Sequence, residues 1–168
     1  GTSQRGDFLM EKENKFNPSY KIYKPNFKDS TKGASSSWEW NPKTGNFFLT
    51  IAKQSSEKSS GGKPTFSWKD NSETFKLGES DLAEICLVLE GSIDYLGQQD
   101  GNKGKGLFHQ TKYGNSILKI YKTDYGLGME LSCKKGEKLF WAGHRLTRGE
   151  CRYLSTILNR CMWEMYSF

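Results

Sequence analysis

The sequence predicts one order of elements twice, four strands followed by a helix, and this repeat constrains the fold more than any single motif. Alternating apolar residues between turn residues predict strands at 20–23, 34–40, 47–53 and 65–77, and again at 107–112, 116–123, 126–134 and 138–146. Apolar residues at three- and four-residue spacing then predict helices over 80–95 and from 147 almost to the C-terminus.

The two halves also correspond position by position. A spacing of 69 residues pairs Leu77 with Leu146 and Ile85 with Leu154, each at the same point of its predicted element. We therefore predict an α+β fold built from two ββββα repeats, about 20–97 and 107–168. The second helix has a local start signal, because Thr147 and Glu150 fit a capping box.

One domain, 20–168, accounts for most of the chain. Residues 1–19 have no sustained periodicity and are predicted to form a flexible N-terminal tail. The polar stretch 54–64 is predicted to be a hairpin loop inside the domain. The longest apolar run, Ile85–Leu89, is far shorter than the roughly 20 residues that a membrane-spanning helix needs, so no membrane segment is expected.

The lysines behind the net charge of +6 lie mainly on predicted strands and turns. The first predicted helix is acidic, because 78–102 contains Glu79, Asp81 and Glu84 but no Lys or Arg, so it would repel phosphate. Aromatic residues make up 14% of the chain and are interleaved with the lysines. Cations beside stackable rings indicate binding of single-stranded DNA or RNA with low sequence specificity.

Period two assigns candidate binding residues to the strand faces that point away from the core. In the strand 115–123, Leu118 and Ile120 share the face that we predict to be buried, and Lys119 and Tyr121 share the other. The candidate nucleic-acid-binding residues are Lys32, Trp38, Phe48, Lys53, Lys112, Lys119, Tyr121 and Lys134. For Trp38 and the other strand tryptophans, burial in the core is the competing interpretation.

The histidines and cysteines form no catalytic or metal-binding motif. His109 and His144 are 35 positions apart with no Asp or Ser motif between them, so no catalytic triad is predicted and the protein is not expected to be an enzyme. The four cysteines form no C-x-x-C pair, which argues against a zinc site. Neither a metal nor a cofactor is expected.

Several segments resemble the Whirly family of single-stranded DNA-binding proteins. In the second half they are Leu107–Gln110, the strands 117–121 and 127–133, and Arg145–Cys151 before a long helix. In the first half, Phe66–Lys69 followed by Phe75–Leu77 and the helix from Ser80 is similar to the family's aromatic-Asp-Trp strand and the elements after it. The layout is also similar to that of the kinetoplastid mitochondrial guide-RNA-binding proteins.

The resemblance implies two packed antiparallel sheets, helices that hold a tetramer together, and residence in the mitochondrion or another organelle, with the nucleus as the alternative. The second helix independently favours a homo-oligomer or a hetero-oligomer of related subunits. Tyr153, Met162, Trp163 and Tyr166 surround its stripe, which is more apolar surface than packing on one sheet requires. Two alternatives stay open, a Pur-alpha-like nucleic-acid binder and a protein–protein adaptor with no nucleic-acid role.

Overall fold

Each half of the chain forms an antiparallel sheet and then a helix, as seen in a computed structural model that describes residues 16–99 and 104–167. The first half contains β1 (Ser19–Lys24), a 3-10 turn (Ser30–Lys32), β2 (Ala34–Asn41), β3 (Asn46–Lys58), β4 (Pro64–Phe66), β5 (Ser72–Leu77) and α1 (Glu79–Leu89). The second half contains β6 (Leu107–Thr111), β7 (Gly114–Thr123), β8 (Gly126–Lys135), β9 (Lys138–Thr147) and α2 (Arg148–Ser167). The α+β class and the two successive sheet-and-helix repeats confirm the sequence prediction.

All neighbouring strands are antiparallel. The first sheet has the order β1-β2-β3-β5, and β4 pairs only with the far end of β3. The second sheet is a simple meander, β6-β7-β8-β9. Within the described ranges, no helix combines the length and apolar character that a membrane crossing requires.

Alternate residues of both sheets point into one shared core. On β3, Phe47, Leu49 and Ile51 are fully buried, and on β7 so are Leu118 and Ile120, as period two predicts. The helices add the buried residues Leu82, Ile85, Val88, Leu154 and Leu158. Fully burying an aliphatic side chain contributes about 1.5–3 kcal/mol, so this core is what fixes which face of each strand is left for solvent.

Two ion pairs join the inner face of the first sheet to the second half of the chain. Lys135 Nζ on β8 lies 2.6 Å from Glu73 Oε2 on β5, and this hydrogen bond raises the pKa of Lys135. Lys24 Nζ on β1 lies 2.7 Å from Glu150 Oε1 at the start of α2. Burial opposes ionisation of Glu150, but hydrogen bonds from Lys24 and Thr147 outweigh it and lower the pKa. The first pair joins the two sheets, and the second joins the first sheet to α2.

A buried hydrogen-bond chain crosses the same junction. Trp38 Nε1 donates to Ser36 Oγ at 3.1 Å, and Ser36 Oγ lies 2.8 Å from His144 Nε2. His144 Nδ1 lies 3.0 Å from the Arg145 carbonyl, which can only accept, so Nδ1 carries the proton and Nε2 accepts from the Ser36 hydroxyl. Burial lowers the pKa of His144, which favours this neutral state.

The structure divides the predicted strand 65–77 into β4 and β5, and it corrects two element boundaries. β3 continues through Lys58 into the stretch predicted to be a loop, because its backbone hydrogen bonds to β4 need no apolar side chain. α1 ends at Leu89 rather than near residue 95, and Gly91 then takes a left-handed conformation with φ of 83°. The predicted tail, 1–19, lies outside the described residues up to position 15, and β1 begins at Ser19.

After α1, the connecting segment adds to the second sheet. Leu96 N donates to the Ile120 carbonyl at 2.8 Å, and Lys122 N donates to the Asp94 carbonyl at 2.8 Å. These bonds place Tyr95 beside Tyr121, in an isolated bridge along the half of β7 that β6 does not cover. The connection between the repeats therefore contributes to the surface of the second sheet.

Candidate nucleic-acid interface

The outer face of the second sheet combines exposed rings with basic side chains. Because Leu118 and Ile120 point inward, the alternate residues of β7 and their cross-strand partners point outward. We define this outer face by Tyr95, Phe108, Ile117, Lys119, Tyr121, Gly128, Glu130, Ser132, Lys134, Trp141, Gly143 and Arg145.

The first set of outer-face residues, here called the Trp141 row, crosses all four strands. Strand register aligns Phe108 with Ile117, Ile117 with Ser132, and Ser132 with Trp141. Phe108 and Trp141 are each 55% exposed. Two aromatic rings at opposite edges of the sheet are thus open to solvent, with smaller side chains between them, which is an arrangement that can receive flat ligand groups.

A second set, the Tyr121 row, consists of Tyr95, Tyr121, Gly128 and Arg145. The Tyr95 and Tyr121 rings stack with centroids 5.8 Å apart. The Tyr121 ring lies over Gly128, where a Cβ would come within 2.6 Å of Tyr121 Cε2, so a side chain at this position would displace the ring. Burial and the nearby Glu130 carboxylate raise the pKa of the Tyr121 hydroxyl, which therefore stays protonated at neutral pH.

Charged residues lie between and beside these two rows. Lys119 is exposed and pairs across the strands with Glu130, which faces Gly143 on β9. Lys134 and Arg145 are also exposed and lie at the two ends of the face. Since Tyr121 is four positions after Ile117, the two rows are about 13 Å apart along β7. The face thus presents rings, then a cation, then rings.

Three of the eight residues predicted from the sequence come together here. Lys119 and Lys134 are exposed on the outer face, and the half-buried Tyr121 forms part of its second row. Lys112 lies in the β6–β7 hairpin of the same sheet, with its Nζ 5.0 Å from the centroid of the Tyr113 ring.

The structure contradicts the placement of Trp38 in a binding surface. Trp38 is only 1% exposed, and its ring packs in the core beside Phe47, with centroids 6.5 Å apart. Lys53 is also turned away from the outer faces, because its Nζ lies 5.1 Å from the centroid of Phe140, on the inner side of the second sheet. Both residues belong to the junction between the sheets.

The remaining predicted residues lie on the first half of the chain. Phe48 is half-buried on the outer face of the first sheet, between its cross-strand partners Glu39 and Lys76. Lys32 is exposed in the 3-10 turn, 3.9 Å from an oxygen of Asp29. These two residues are separate from the rows of the second sheet.

Among the aromatic and basic residues of the outer face, sequence reasoning missed four, namely Tyr95, Phe108, Trp141 and Arg145. For Trp141 a signal was present, because its neighbours Phe140 and Ala142 are apolar and share the opposite face. For Tyr95 no signal was present, since its place depends on pairing with β7 rather than on its own neighbours.

The histidines and cysteines are held in structural contacts. His109 Nε2 lies 3.2 Å from Asp81 Oδ2, and its ring stacks on Phe75 with centroids 4.1 Å apart. Burial raises the pKa of Cys86, Cys151 and Cys161 to about 11, so these thiols stay protonated. In the part of the chain that the structure describes, no group of three potential metal ligands is close enough to hold an ion.

Comparison with solved structures relates the whole fold to known proteins. The MRP1/MRP2 structure from Trypanosoma brucei superposes with a TM-score of 0.64 at 11% identity, covering 93% of this chain and 90% of that one. A guide-RNA-binding protein complex bound to a guide RNA gives 0.63 at 13% identity, with coverage of 94% and 98%.

A plant protein gives a similar result. The structure of the plant transcriptional regulator PBF-2 superposes with a TM-score of 0.65 at 16% identity, covering 90% of this chain and 84% of that one. No protein-family model and no curated protein sequence matches the chain. The two sheets and two helices nevertheless match these structures over nearly their full length, and the chain therefore has the Whirly-like fold.

Proposed function

We propose that this chain binds single-stranded nucleic acid, DNA or RNA, on the outer face of the second sheet, as a binding protein without catalytic activity. The observation that carries the proposal is the pair of aromatic rows on either side of Lys119, on an exposed face with Lys134 and Arg145 at its ends. Similarity to the guide-RNA complex and to a transcriptional regulator supports it.

Binding would combine two kinds of contact. The rings of Phe108 and Trp141 in one row, and of the exposed Tyr95 and the half-buried Tyr121 in the other, receive unpaired bases, each stack contributing about 1–3 kcal/mol. Lys119, between the rows, receives a phosphate. Because stacking and phosphate contacts are available to every nucleotide, the overall sequence preference is modest.

The other predicted residues take lesser roles in this proposal. Lys112 and Lys32 extend the positive field around the sheets, and Phe48 offers a partly covered ring on the first sheet. The acidic helix α1 stays outside the path of the strand, because its carboxylates repel phosphate. The binding domain is 20–168.

We infer further that the protein is an oligomer, a tetramer of identical or related subunits assembled through the helices. On α2, Tyr153, Trp163 and Tyr166 are between 60% and 79% exposed. A groove of about 700 Å³ beside Tyr153 and Ile157 reaches Tyr20 and Trp40. We also infer a role in organellar DNA maintenance, transcription or RNA processing, in the mitochondrion or otherwise the nucleus, from the family resemblance.

A titration with labelled oligonucleotides tests the binding proposal. Unpaired DNA and RNA should each bind at least about tenfold more tightly than duplex of equal length, because only unpaired bases expose their faces to the rings. The logarithm of the association constant should fall with the logarithm of salt concentration by about 0.7 per phosphate neutralised. Equal affinity for duplex would overturn stacking, and a flat salt response would overturn the lysine contacts.

A further inference from the structure

One acidic residue stands in the middle of the basic outer face. Glu130 is the only Asp or Glu in the strands β6–β9, and register places it between Lys119 and Gly143. A carboxylate at this point opposes phosphate, so it lowers affinity for the backbone of any strand lying there. We therefore look for a role of Glu130 other than attracting phosphate.

The Glu130 carboxylate has the Tyr121 hydroxyl as a hydrogen-bonding neighbour, and its two oxygens leave further acceptor positions open. Over residues 16–99 and 104–167, no basic nitrogen lies within 4.0 Å of it, and Lys119 is not drawn into an ion pair with it. The side chain is half-buried, and the sheet is low on its β9 side, because its partner there, Gly143, carries no side chain. A Cβ at Gly143 would come within 3.0 Å of Glu130 Cβ, so glycine keeps this space open.

The carboxylate is also close to a stacking ring. Glu130 is two positions after Gly128 on the same face of β8, and the Tyr121 ring lies over Gly128, so the carboxylate is beside the Tyr121 row. The same row ends at the exposed Arg145, which lies opposite Gly128. A base stacked on the Tyr121 row would thus have its edge between an acceptor, Glu130, and a donor, Arg145.

Base chemistry decides which edge this pair of groups prefers. An ionised carboxylate only accepts hydrogen bonds, and its two oxygens can accept a parallel pair. Guanine offers such a pair in N1–H and the N2 amino group, and its O6 and N7 accept from arginine. Adenine and cytosine offer one amino group beside an acceptor nitrogen. Thymine and uracil offer one N–H between two carbonyl oxygens, which a carboxylate repels.

We propose that Glu130 reads the edge of a base stacked on the Tyr121 row and favours guanine over thymine or uracil. This inference rests on the proposed binding of single strands to the outer face, and it adds one specific position to an otherwise sequence-tolerant surface. Where the stacked base is guanine, its hydrogen bonds to Glu130 would offset the repulsion between the carboxylate and phosphate. At other positions that repulsion would lower the affinity.

The test compares labelled 12-nucleotide DNA strands by fluorescence anisotropy at one fixed salt concentration. One strand is all thymidine, the second has deoxyguanosine at every third position, and the third has deoxyinosine, which lacks the 2-amino group, at those positions. The wild-type protein should bind the guanosine strand about tenfold more tightly than the thymidine strand, with the inosine strand between them.

Two variants test whether Glu130 causes the preference for guanosine. Glu130→Gln should bind the thymidine strand at least as well as the wild type and lose the preference for guanosine. Glu137→Gln, which removes the same charge from the exposed β8–β9 turn, should keep it. Circular dichroism and thermal unfolding confirm that both variants are folded.

The outcomes distinguish base reading at Glu130 from the proposed single-strand binding on which it rests. If the wild type binds all three strands equally, base reading at Glu130 is overturned and single-strand binding stands. If Glu130→Gln keeps the guanosine preference, or weakens all strands equally, Glu130 is not the reader. If the wild type binds none of the strands, the proposed function itself is overturned, and the inference with it.

Discussion

Two tryptophans on similar strands have opposite environments. Trp38 is 1% exposed and donates a hydrogen bond to Ser36, whereas Trp141 is 55% exposed on the outer face of the second sheet. Around Trp141, Phe140 and Ala142 identify the buried side. Around Trp38 the adjacent strand residues are serine and glutamate, so alternation does not identify the buried face of the strand. Only the packing of the two sheets determines that Trp38 is buried.

At Trp141 we expect a large loss of binding without loss of fold. Trp141→Ala should weaken single-strand binding by about 1–3 kcal/mol, because one stacked base loses its platform, and Trp141→Phe should restore most of it. Affinity is measured by anisotropy and stability by urea denaturation.

Leu139→Ala is the matched control, since Leu139 is 72% exposed two positions away and has no aromatic face. It should bind normally. Trp38→Ala should instead destabilise the protein by about 3–5 kcal/mol. A Trp141→Ala protein that binds like the wild type would exclude the Trp141 row from the interface.

The environment of His144 predicts a dependence of stability on pH. Burial lowers its pKa in the folded state, so the neutral ring contributes stability that is fully present above the unfolded value of about 6.5. This contribution is lost as the pH falls below that value toward the folded pKa. Lys24 beside the ring opposes its protonation, and Glu150 favours it, but burial is the dominant cause.

Urea denaturation between pH 7.5 and 5.0 measures this dependence. The free energy of unfolding of the wild type should decrease across the interval, and that of His144→Gln should change less. Parallel curves for the two proteins would show that the Ser36–His144 contact does not titrate in this range.

Helix boundaries set by nearby residues could be predicted from the sequence, and those set by contacts with distant strands could not. The start of α2 was predicted because the cap is made by residues three apart: Thr147 N donates to Glu150 Oε1 at 2.8 Å, and Glu150 N donates to Thr147 Oγ1 at 3.1 Å. The end of α1 was predicted too late, because Asp94–Leu96 is held by β7, which lies beyond any local pattern.

The capping box gives a direct prediction at this scale. Thr147→Ala should lower the free energy of unfolding by about 1 kcal/mol, because the amide of Glu150 loses its acceptor. Thr156→Ala is the control within the same helix, where Thr156 is exposed and alanine suits the helix interior. Equal losses in the two variants, measured by urea denaturation, would mean that the cap adds nothing.

For the whole molecule, the repeat order and the buried faces follow from periodicity, and the binding surface follows from register. The sequence places Lys119 and Tyr121 on an outward face, but only the pairing of four strands aligns Phe108 with Trp141. The surface of α2 likewise exceeds what one protomer covers, since the rings of Trp163 and Tyr166 contact each other at a tilt, with centroids 5.8 Å apart, and are open to solvent.

The exposed face of α2 should mediate assembly. We expect multi-angle light scattering to show an oligomer, with a tetramer as the expected state, and Trp163→Asp to shift it toward smaller species without unfolding. Leu158 would be a poor choice for this test because it is fully buried within the protomer.

Tyr125→Asp is the matched control, because Tyr125 is 79% exposed in the β7–β8 turn, away from the helix. It should leave the mass unchanged. A monomeric wild type that still binds single strands would overturn the assembly and favour a pairing of the two repeats within one chain.

The chain of hydrogen bonds through His144 also has a kinetic consequence. Ser36 and His144 meet across 108 residues of sequence, and the Glu73–Lys135 pair spans 62. Proteins dominated by such distant contacts fold slowly, because loop-closure entropy is lost before the contacts form. During synthesis, the part of the first sheet that contacts β9, on β2 and β3, stays uncovered until β9 has left the ribosome, so the nascent chain is most prone to aggregation before that strand emerges.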